Sequence, residues 1–593
     1  MLIICGYSII SELTEPCTIF LYFREVKAAG TFHTRETKMW VAQVKIFLNH
    51  VKDMRPLVTV HSLLSRPKVS CRKATIVVML RKGEKNMSYS PKLSTTFNNT
   101  KLRTDHSICE LSGMCSTCTN KCTGLCEIGL SAVRGFEAAY PLNTAAQQFA
   151  SEKKYPFDYS HFNINGRVFG ASGAEGDKEL INVYSADLSC TIGYKKKIAL
   201  KAPIILPAMA KLNWRDYYSG AAMAGILVVI GESAAKSDPL LANDEHGKVN
   251  NAPIIGEMIE CFRKYERGYG DIVLQINADD VALGVPEYAL KTFNLKTLEI
   301  KFGQAAKGIQ HVAPVYDYDE ALKIKENGYL ILPDPTDDDV IEAIEEGESI
   351  HFMQYGRLPM WDEARLAEMI TGYRALGAEN IFFKMAGFDI ADIKRVLRIA
   401  SDNKIALVTF DGAGGGTGHS PCKMMNEWSH PTIELERIVH SFMAELEKEG
   451  AWLPSIAIGG GIVFEDTAFK ALSLGAPYVK LVAIGRGAMA AAMSGKKVGE
   501  MIKNGVIPEM YKDFEHTGDS VFLEAKSLSR IYKEVEGQIS TGSTGLYSFI
   551  QRVSWGMKLL MTLNRKFKLE LLNQSDVIPL TIEAKEYINT INK

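Results

Sequence analysis

A chain of 593 residues is too long for one ordinary hydrophobic core, so a large domain with smaller appended pieces is expected. Apolar residues at 46%, charged residues at 23% and a net charge of −1 describe a globular chain with no bulk attraction to nucleic acid. No run reaches the roughly eighteen apolar residues of a membrane span, and the nearest, GAAMAGILVVIGESAA at 220–235, is broken by Gly and Glu.

The first residues, MLIICGYSIISELTEPC, lack the early positive charges and small-residue cleavage site of a secretory signal. A cytoplasmic location with reduced thiols is therefore expected. Residues 1–86 show no sustained helical or strand period and read as a poorly organised extension. The run Arg81-Lys82-Gly83-Glu84-Lys85-Asn86 can be encoded by purines resembling a ribosome-binding site, which predicts Met87 as the true start. The alternative is a poorly ordered native extension.

Residues 87–200 form a cysteine-rich segment in which five of the chain's 11 cysteines fall between positions 109 and 126. The spacing is Cys109-x5-Cys115-x2-Cys118-x3-Cys122-x3-Cys126. A C-x2-C-x3-C core can wrap an iron–sulfur cluster, with 4Fe–4S the expected type; C-x2-C pairs also build tetrahedral zinc sites, and a plain redox or structural thiol cluster is the third alternative. Zinc sites usually add a second pair a dozen or more residues away, and that pair is absent.

From residue 201 to 504 short apolar strands alternate with helical stretches. Strands are predicted at 202–210, 225–231, 271–277, 297–303, 381–387, 405–412, 455–461 and 479–487, eight in all. Helical periodicity marks 391–403 and 432–450 between them. Strands without alternation, buried on both faces, fit a parallel sheet covered by helices. The fold class is therefore α/β, a (β/α)8 TIM barrel, with residues 304–370 an inserted excursion after strand four. A doubly wound sheet is the alternative, weakened because the phosphate signals sit late in the chain. Residues 505–593 are predicted as a helical extension, with SVFLEAKSLSRIYKEVEG and GMKLLMTLNRKFKLELL packing Met, Leu and Phe against the barrel.

Barrel active sites lie at the C-terminal ends of the strands, with phosphate sites in the loops after strands seven and eight. Both loops are glycine-rich here, Gly459-Gly460-Gly461 and Gly485-Arg486-Gly487. Such loops let backbone N–H groups approach an anion; the alternative is that the glycines merely make tight turns. The loop after strand six, DGAGGGTGHSP from Asp411 to Pro421, would let a flat ligand lie against backbone.

These motifs resemble the FMN-binding barrel of the ferredoxin-dependent and NADPH-dependent glutamate synthases, and in particular the stand-alone FMN-binding glutamate synthase family proteins. Further matches are LPAMAKLNWRDYYSGAAMAG at 206–225, IGES at 230–233 and KFGQAAKG at 301–308. The resemblance implies FMN phosphate at the loops of Gly459, Gly460, Gly461, Gly485, Arg486 and Gly487. It implies the isoalloxazine against Ala208, Met209 and loop six, with Asp411, Gly414, Gly415, Gly416 and Thr417. Gln275 and Lys384 match positions touching the flavin pyrimidine edge, where a cation stabilises the reduced ring; a lysine merely paired at a barrel rim is the alternative. Glu232, Lys301, Gln304 and Lys307 match the catalytic groups for a 2-oxo or imino acid.

The implied activity is that of an FMN-dependent oxidoreductase on CH–NH2 donors, reductive amination of 2-oxoglutarate to glutamate. The alternatives are an FMN-barrel oxidoreductase on another amino or hydroxy acid, or a non-catalytic flavin and iron–sulfur electron carrier. Three features depart from the family. AKGIQHV at 306–312 stands where the family has AKPGEGG, neither Met1 nor Met87 precedes a nucleophilic cysteine, and AAMSGKKVGEM lacks cluster cysteines after the last strand. Ammonia, where used, then comes from a separate subunit. Electrons from ferredoxin or a reductase subunit would enter through the cysteines at 109–126. No nucleic-acid or membrane partner is expected.

Overall fold

The computed structural model describes residues 155–591 apart from 210–211, 304–311, 416–423, 425–427, 512–517 and 536, together with short stretches before 155. The chain divides into two units, residues 1–89 and 90–593. The described part of the first is two antiparallel strand pairs, Ile3–Ile4 with Tyr7–Ser8 and Thr18–Leu21 with Ile76–Met79. The five clustered cysteines, and the expectation about Met87, lie outside the described residues.

Eight parallel strands close into a barrel within the second unit. They are β1 (Ile204–Met209), β2 (Leu227–Ile230), β3 (Asp271–Ile276), β4 (Thr297–Lys301), β5 (Asn380–Ala386), β6 (Leu407–Asp411), β7 (Ser455–Gly459) and β8 (Val479–Ala483). Each lies inside one of the predicted strands or within one residue of it, and β8 pairs with β1 through Val482 and Ile204. Around them run α1 (Trp214–Ala224), α2 (Pro253–Arg263), α3 (Val285–Phe293), α4 (Glu363–Ala375), α5 (Ile390–Asp402), α6 (Thr432–Lys448), α7 (Glu465–Leu474) and α8 (Arg486–Lys503). The chain is a TIM barrel. Helix α5 shows why such stretches are helical: Asp389 caps it by accepting from Ala391 N at 2.8 Å, and Ile393, Val396, Leu397 and Ala400 recur on the face turned to the sheet.

The two faces of the strands separate into two cores. Outward side chains such as Ile204, Val228, Leu274 and Ile300 pack under the helices, while Ile205, Leu227, Val229, Val273, Phe382, Leu407, Ala457 and Leu481 fill the interior. Ile192, Ile198 and Leu200, from the antiparallel hairpin Cys190–Ile192 and Ile198–Leu200, join that interior cluster from below. Hydrogen bonds fasten this plug. Asn380 Oδ1 accepts from Tyr194 N at 2.7 Å and its Nδ2 donates to Lys196 O at 2.9 Å. Lys196 reaches Asp271 at 3.0 Å, and Thr297 donates to the same carboxylate at 2.9 Å. With the N-terminal end sealed, a ligand site is expected at the C-terminal mouth.

The excursion after β4 is a three-stranded antiparallel sheet, Val312–Val315, Leu330–Leu332 and Phe352–Tyr355, with helices Tyr318–Glu326 and Asp338–Glu345. It closes before residue 363 rather than 370, because Asp362 accepts from Arg365 N at 2.8 Å and so starts α4. The C-terminal region also differs from expectation. A 24-residue helix, α9 (Thr541–Asn564), begins well before 556 and ends where Arg565 takes φ 62°. It lies against α1 and α8 at glycine contacts: a Cβ on Gly220 would sit 2.8 Å from Leu546, and one on Gly495 3.0 Å from Gly545 Cα. Beyond it Val577–Pro579 pairs with Phe162–Ile164, and buried Asp576 receives Arg167 and Lys566, each at 2.7 Å.

Asn380→Ala leaves the part-buried Tyr194 N–H and Lys196 C=O without these partners at the barrel floor. It is expected to lower unfolding free energy by about 2 kcal/mol in urea titration; an unchanged midpoint would remove the plug from the account of stability.

Candidate active site at the barrel mouth

The period of two along a strand decides which polar side chains face the interior. Gln275 shares a face with Val273, Glu299 and Lys301 share one, Lys384 shares one with Phe382, and Thr409 and Asp411 share one with Leu407. A polar wedge over β3–β6 therefore sits at the top of an interior whose β7, β8 and β1 sides are apolar.

Within the wedge the charges are paired. Lys384 Nζ lies 2.9 Å from Asp411 Oδ2, and Lys301 Nζ lies 2.6 Å from Glu232 Oε1, with both lysines buried. Gln275 Nε2 donates to Glu299 Oε1. The pairing is incomplete in an informative way: Gln275 Oε1, Glu299 Oε2, Thr409 Oγ1 and Lys384 Nζ are buried with no directed hydrogen bond. Buried polar atoms are normally satisfied, so four such atoms at one mouth mark a place for a polar ligand edge or water. Burial pushes the Glu299 carboxyl up to about 7 against the pull of Lys384, Gln275 and Lys301.

Glu232 is held by its surroundings. Asp280 accepts from Ser233 N at 3.0 Å and from Asn277 N at 3.1 Å, tying the loop after β2 to the loop after β3, and burial raises its carboxyl to about 7. The inserted sheet docks on the same two loops, with Arg357 on Asp279 at 2.7 Å and Lys236 bonded to Gln354. The excursion therefore forms a wall beside Glu232.

On the opposite side the glycine loops meet. A Cβ on Gly460 would stand 2.6 Å from Thr432 Oγ1, and one on Gly414 2.9 Å from Gly460, so loops six and seven are pressed together. Thr432 Oγ1 donates to Gly460 O at 2.8 Å. That contact supplies a packing reason for both residues. Gly461 is different, since its Cβ would meet nothing and only its φ of 86° demands glycine. Next to it α8 starts at Arg486, exposed, with Gly485 at the N-cap offering no side-chain acceptor. The first turn of this 18-residue helix thus has no side-chain cap, the kind of helix start at which anions are stabilised.

The structure brings together Glu232, Gln275, Lys301, Lys384, Asp411 and the β1 end at Ala208 and Met209, where Met209 O accepts from Tyr218 OH and from Gly231 N. Gln304, Lys307, Gly416 and Thr417 lie outside the described residues. Sequence reasoning missed Glu299, Thr409 and Asp280. Alternation in TLEIK and LVTFD was the available signal, because Glu299 shares the face of Lys301 and Thr409 that of Asp411. Among the described residues no group of three or more His, Cys, Asp or Glu side chains is placed to hold a metal ion, and no helix is long and apolar enough to cross a membrane.

No protein-family model matches the chain, and no curated protein does. Solved structures with a similar arrangement include a flavocytochrome b2 double mutant with pyruvate bound, 12% identical, covering 72% of this chain and 78% of that one at TM-score 0.40. The recombinant flavin-binding domain of baker's yeast flavocytochrome b2 is 12% identical over 71% and 78%, TM-score 0.38. A soluble mutant of the (S)-mandelate dehydrogenase from Pseudomonas putida is 13% identical over 71% and 88%, TM-score 0.35.

Glu299 gives the wedge a pH signature. Its folded value of about 7 exceeds the ordinary 4.5, so between the two the folded chain holds a proton that the unfolded chain releases. Stability contributed by this group therefore falls as pH rises through that window. Glu299→Gln removes the effect, and relative to wild type it is expected to gain on the order of 3 kcal/mol of unfolding free energy between pH 5 and 8. A difference between the two proteins that stays constant with pH would contradict the assignment.

Proposed function

We propose that the chain is an FMN-dependent oxidoreductase acting on a small carboxylic acid that carries an oxo, amino or hydroxy group at C2. The observation that carries this reading is the set of buried atoms at the mouth with no directed hydrogen bond, Gln275 Oε1, Thr409 Oγ1 and the Asp411-paired Lys384 Nζ, across from the uncapped N-terminus of α8. One end suits the donor and acceptor edge of a flat heterocycle and the other a phosphate, and the half-buried Ala208 and Met209 offer an apolar surface between. Bound there, FMN supplies two-electron transfer to or from the substrate carbon.

The protein's own groups take defined parts. Lys384 sets a positive charge where the pyrimidine edge gains negative charge on reduction, and Asp411 holds that ammonium in place. Lys301 receives the substrate carboxylate, giving up part of its contact with Glu232, and Glu232 is then placed to move a proton at the C2 substituent. Gln304 and Lys307, outside the described residues, are assigned to the substrate by motif position alone.

Within this class, reductive amination of 2-oxoglutarate to glutamate is supported by the resemblance of the loop-six, loop-two and loop-four motifs. Oxidation of a different amino or hydroxy acid is favoured by AKGIQHV at 306–312 and by the inserted sheet walling Glu232. Electron supply is proposed to run through an iron–sulfur cluster on four of Cys109, Cys115, Cys118, Cys122 and Cys126, from ferredoxin or a reductase subunit. Zinc on the same thiols would leave the flavin without that entry.

Anaerobically purified protein is expected to carry FMN, and riboflavin, lacking the phosphate, is expected to bind at least about 100-fold more weakly. Iron analysis separates iron–sulfur from zinc. Stopped-flow reoxidation of dithionite-reduced protein by 2-oxoglutarate with ammonia or glutamine supports amination; bleaching of the oxidised flavin by 2-hydroxy or 2-amino acids supports the second reading. Lys301→Ala is expected to cut either rate by about 100-fold or more with flavin retained. A colourless protein that takes up no flavin would overturn the proposal.

A further inference from the structure

The polar wedge carries a buried ionisable side chain, Glu299, to which the proposed reaction gives no task. Glu299 is buried in the middle of the wedge, between the positions of Lys301 on its own strand and Lys384 on the next, and it contacts Gln275 directly. It sits one layer deeper than Lys301, two residues before it on the strand, below the mouth where substrate would lie.

What it does to Gln275 follows from donor and acceptor chemistry. A carboxylate has only acceptors, so the Gln275 amide must turn its Nε2 toward Glu299. The amide oxygen is then forced the other way, and Gln275 Oε1 is indeed buried without a partner. An unpartnered buried carbonyl oxygen selects for an N–H donor and against a carbonyl or an N-alkyl group, because the mismatched ligand leaves it unsatisfied. The same wedge holds the ammonium of Lys384 and the hydroxyl of Thr409, both buried and both able to donate. The wedge thus offers an acceptor together with donors, the combination that complements an imide edge in which an N–H is flanked by carbonyl oxygens.

We propose that Glu299 is a positioning residue that locks the Gln275 amide with its oxygen facing the ligand, so that the mouth selects a heterocycle presenting an imide N–H. This inference rests on the flavin reading, since the isoalloxazine ring has such an N–H at N3. The lock needs the ionised carboxyl. A protonated Glu299 can itself donate to Gln275 Oε1, which lets the amide turn over and present Nε2 to the ligand. The groups facing Glu299 are Gln275 from β3, Lys301 from β4, and Lys384 and Asp411 from β5 and β6.

The test compares apoprotein binding of FMN and of N3-methyl-FMN, which keeps the ribityl phosphate and loses only the N–H, by flavin fluorescence quenching between pH 6 and 8.5. Wild type is expected to prefer FMN by about 100-fold at pH 8.5, with the preference shrinking to within about threefold at pH 6. Glu299→Gln, whose amide pairs with Gln275 in either orientation, is expected to show a weak preference that does not change with pH. Equal wild-type affinity for the two flavins at pH 8.5 overturns the lock while leaving the flavin site standing. Wild type that binds neither overturns the flavin reading and the lock with it. Should the variant fail to fold, the wild-type preference and its pH profile decide alone, a flat profile overturning the lock.

Discussion

Everything at the barrel mouth depends on holding two lysines and three carboxyl groups inside or beside a hydrophobic interior. A single ionised group in such surroundings is prohibitively costly, and even a paired one gains stability only where hydrogen bonds complete the pairing. The chain meets this by interleaving signs across neighbouring strands, Glu232 with Lys301 and Lys384 with Asp411, leaving Glu299 between the two lysines. Two cations pull Glu299 toward ionisation and full burial pushes it back, which leaves its carboxyl near neutral pH rather than in the ordinary acid range. Such a wedge is poor at stabilising the fold and well suited to holding directed, unsatisfied atoms toward a ligand.

The remainder of the architecture can be read as what keeps that wedge in register. The hairpin plug seals the floor through Asn380, Asp271 and Thr297, which belong to the same strands, β3, β4 and β5, that carry the wedge higher up. Those strands are thus pinned at their N-terminal ends by polar contacts and at their C-terminal ends by the ion pairs of β4 and β5 and the Gln275–Glu299 hydrogen bond of β3. On the other half, the apolar strands are held by α9 packed at glycine contacts against α1 and α8, the helices that follow β1 and β8. The pinned half carries the polar chemistry, and the half clamped from outside carries the phosphate-type loops.

The eight strands were legible because each is a short run buried on both faces and closed by Gly or a polar residue, a pattern that only a covered parallel sheet explains. Lys384 and Gln275 were legible through their positions at strand ends. Glu299 was not, because TLEIK reads as an ordinary apolar strand with solvated charges until its neighbours show that Thr297, Glu299 and Lys301 all face inward. Thr409 was hidden in the same way in LVTFD. The helix from 541 escaped because TGSTGLYSF is rich in glycine and serine, poor helix formers whose small size is what lets α9 approach α1 and α8. Propensity argued one way, and close packing, which a single sequence does not display, decided the other.

The glycines of loops six and seven show how a motif can carry two constraints at once. Gly414 and Gly460 are required by the backbone of one loop lying against the other, which needs no ligand. Gly461 is required by its left-handed backbone alone, with open space where a Cβ would point, beside the uncapped start of α8. Packing thus accounts for the glycines that bring the loops together and leaves over the one at the opening. Substitution at Gly460 would therefore disturb the loop pair whether or not an anion is bound. At Gly461 the backbone strain is of order 1 kcal/mol, with no neighbour to clash, and any larger effect has to come from a ligand occupying that space.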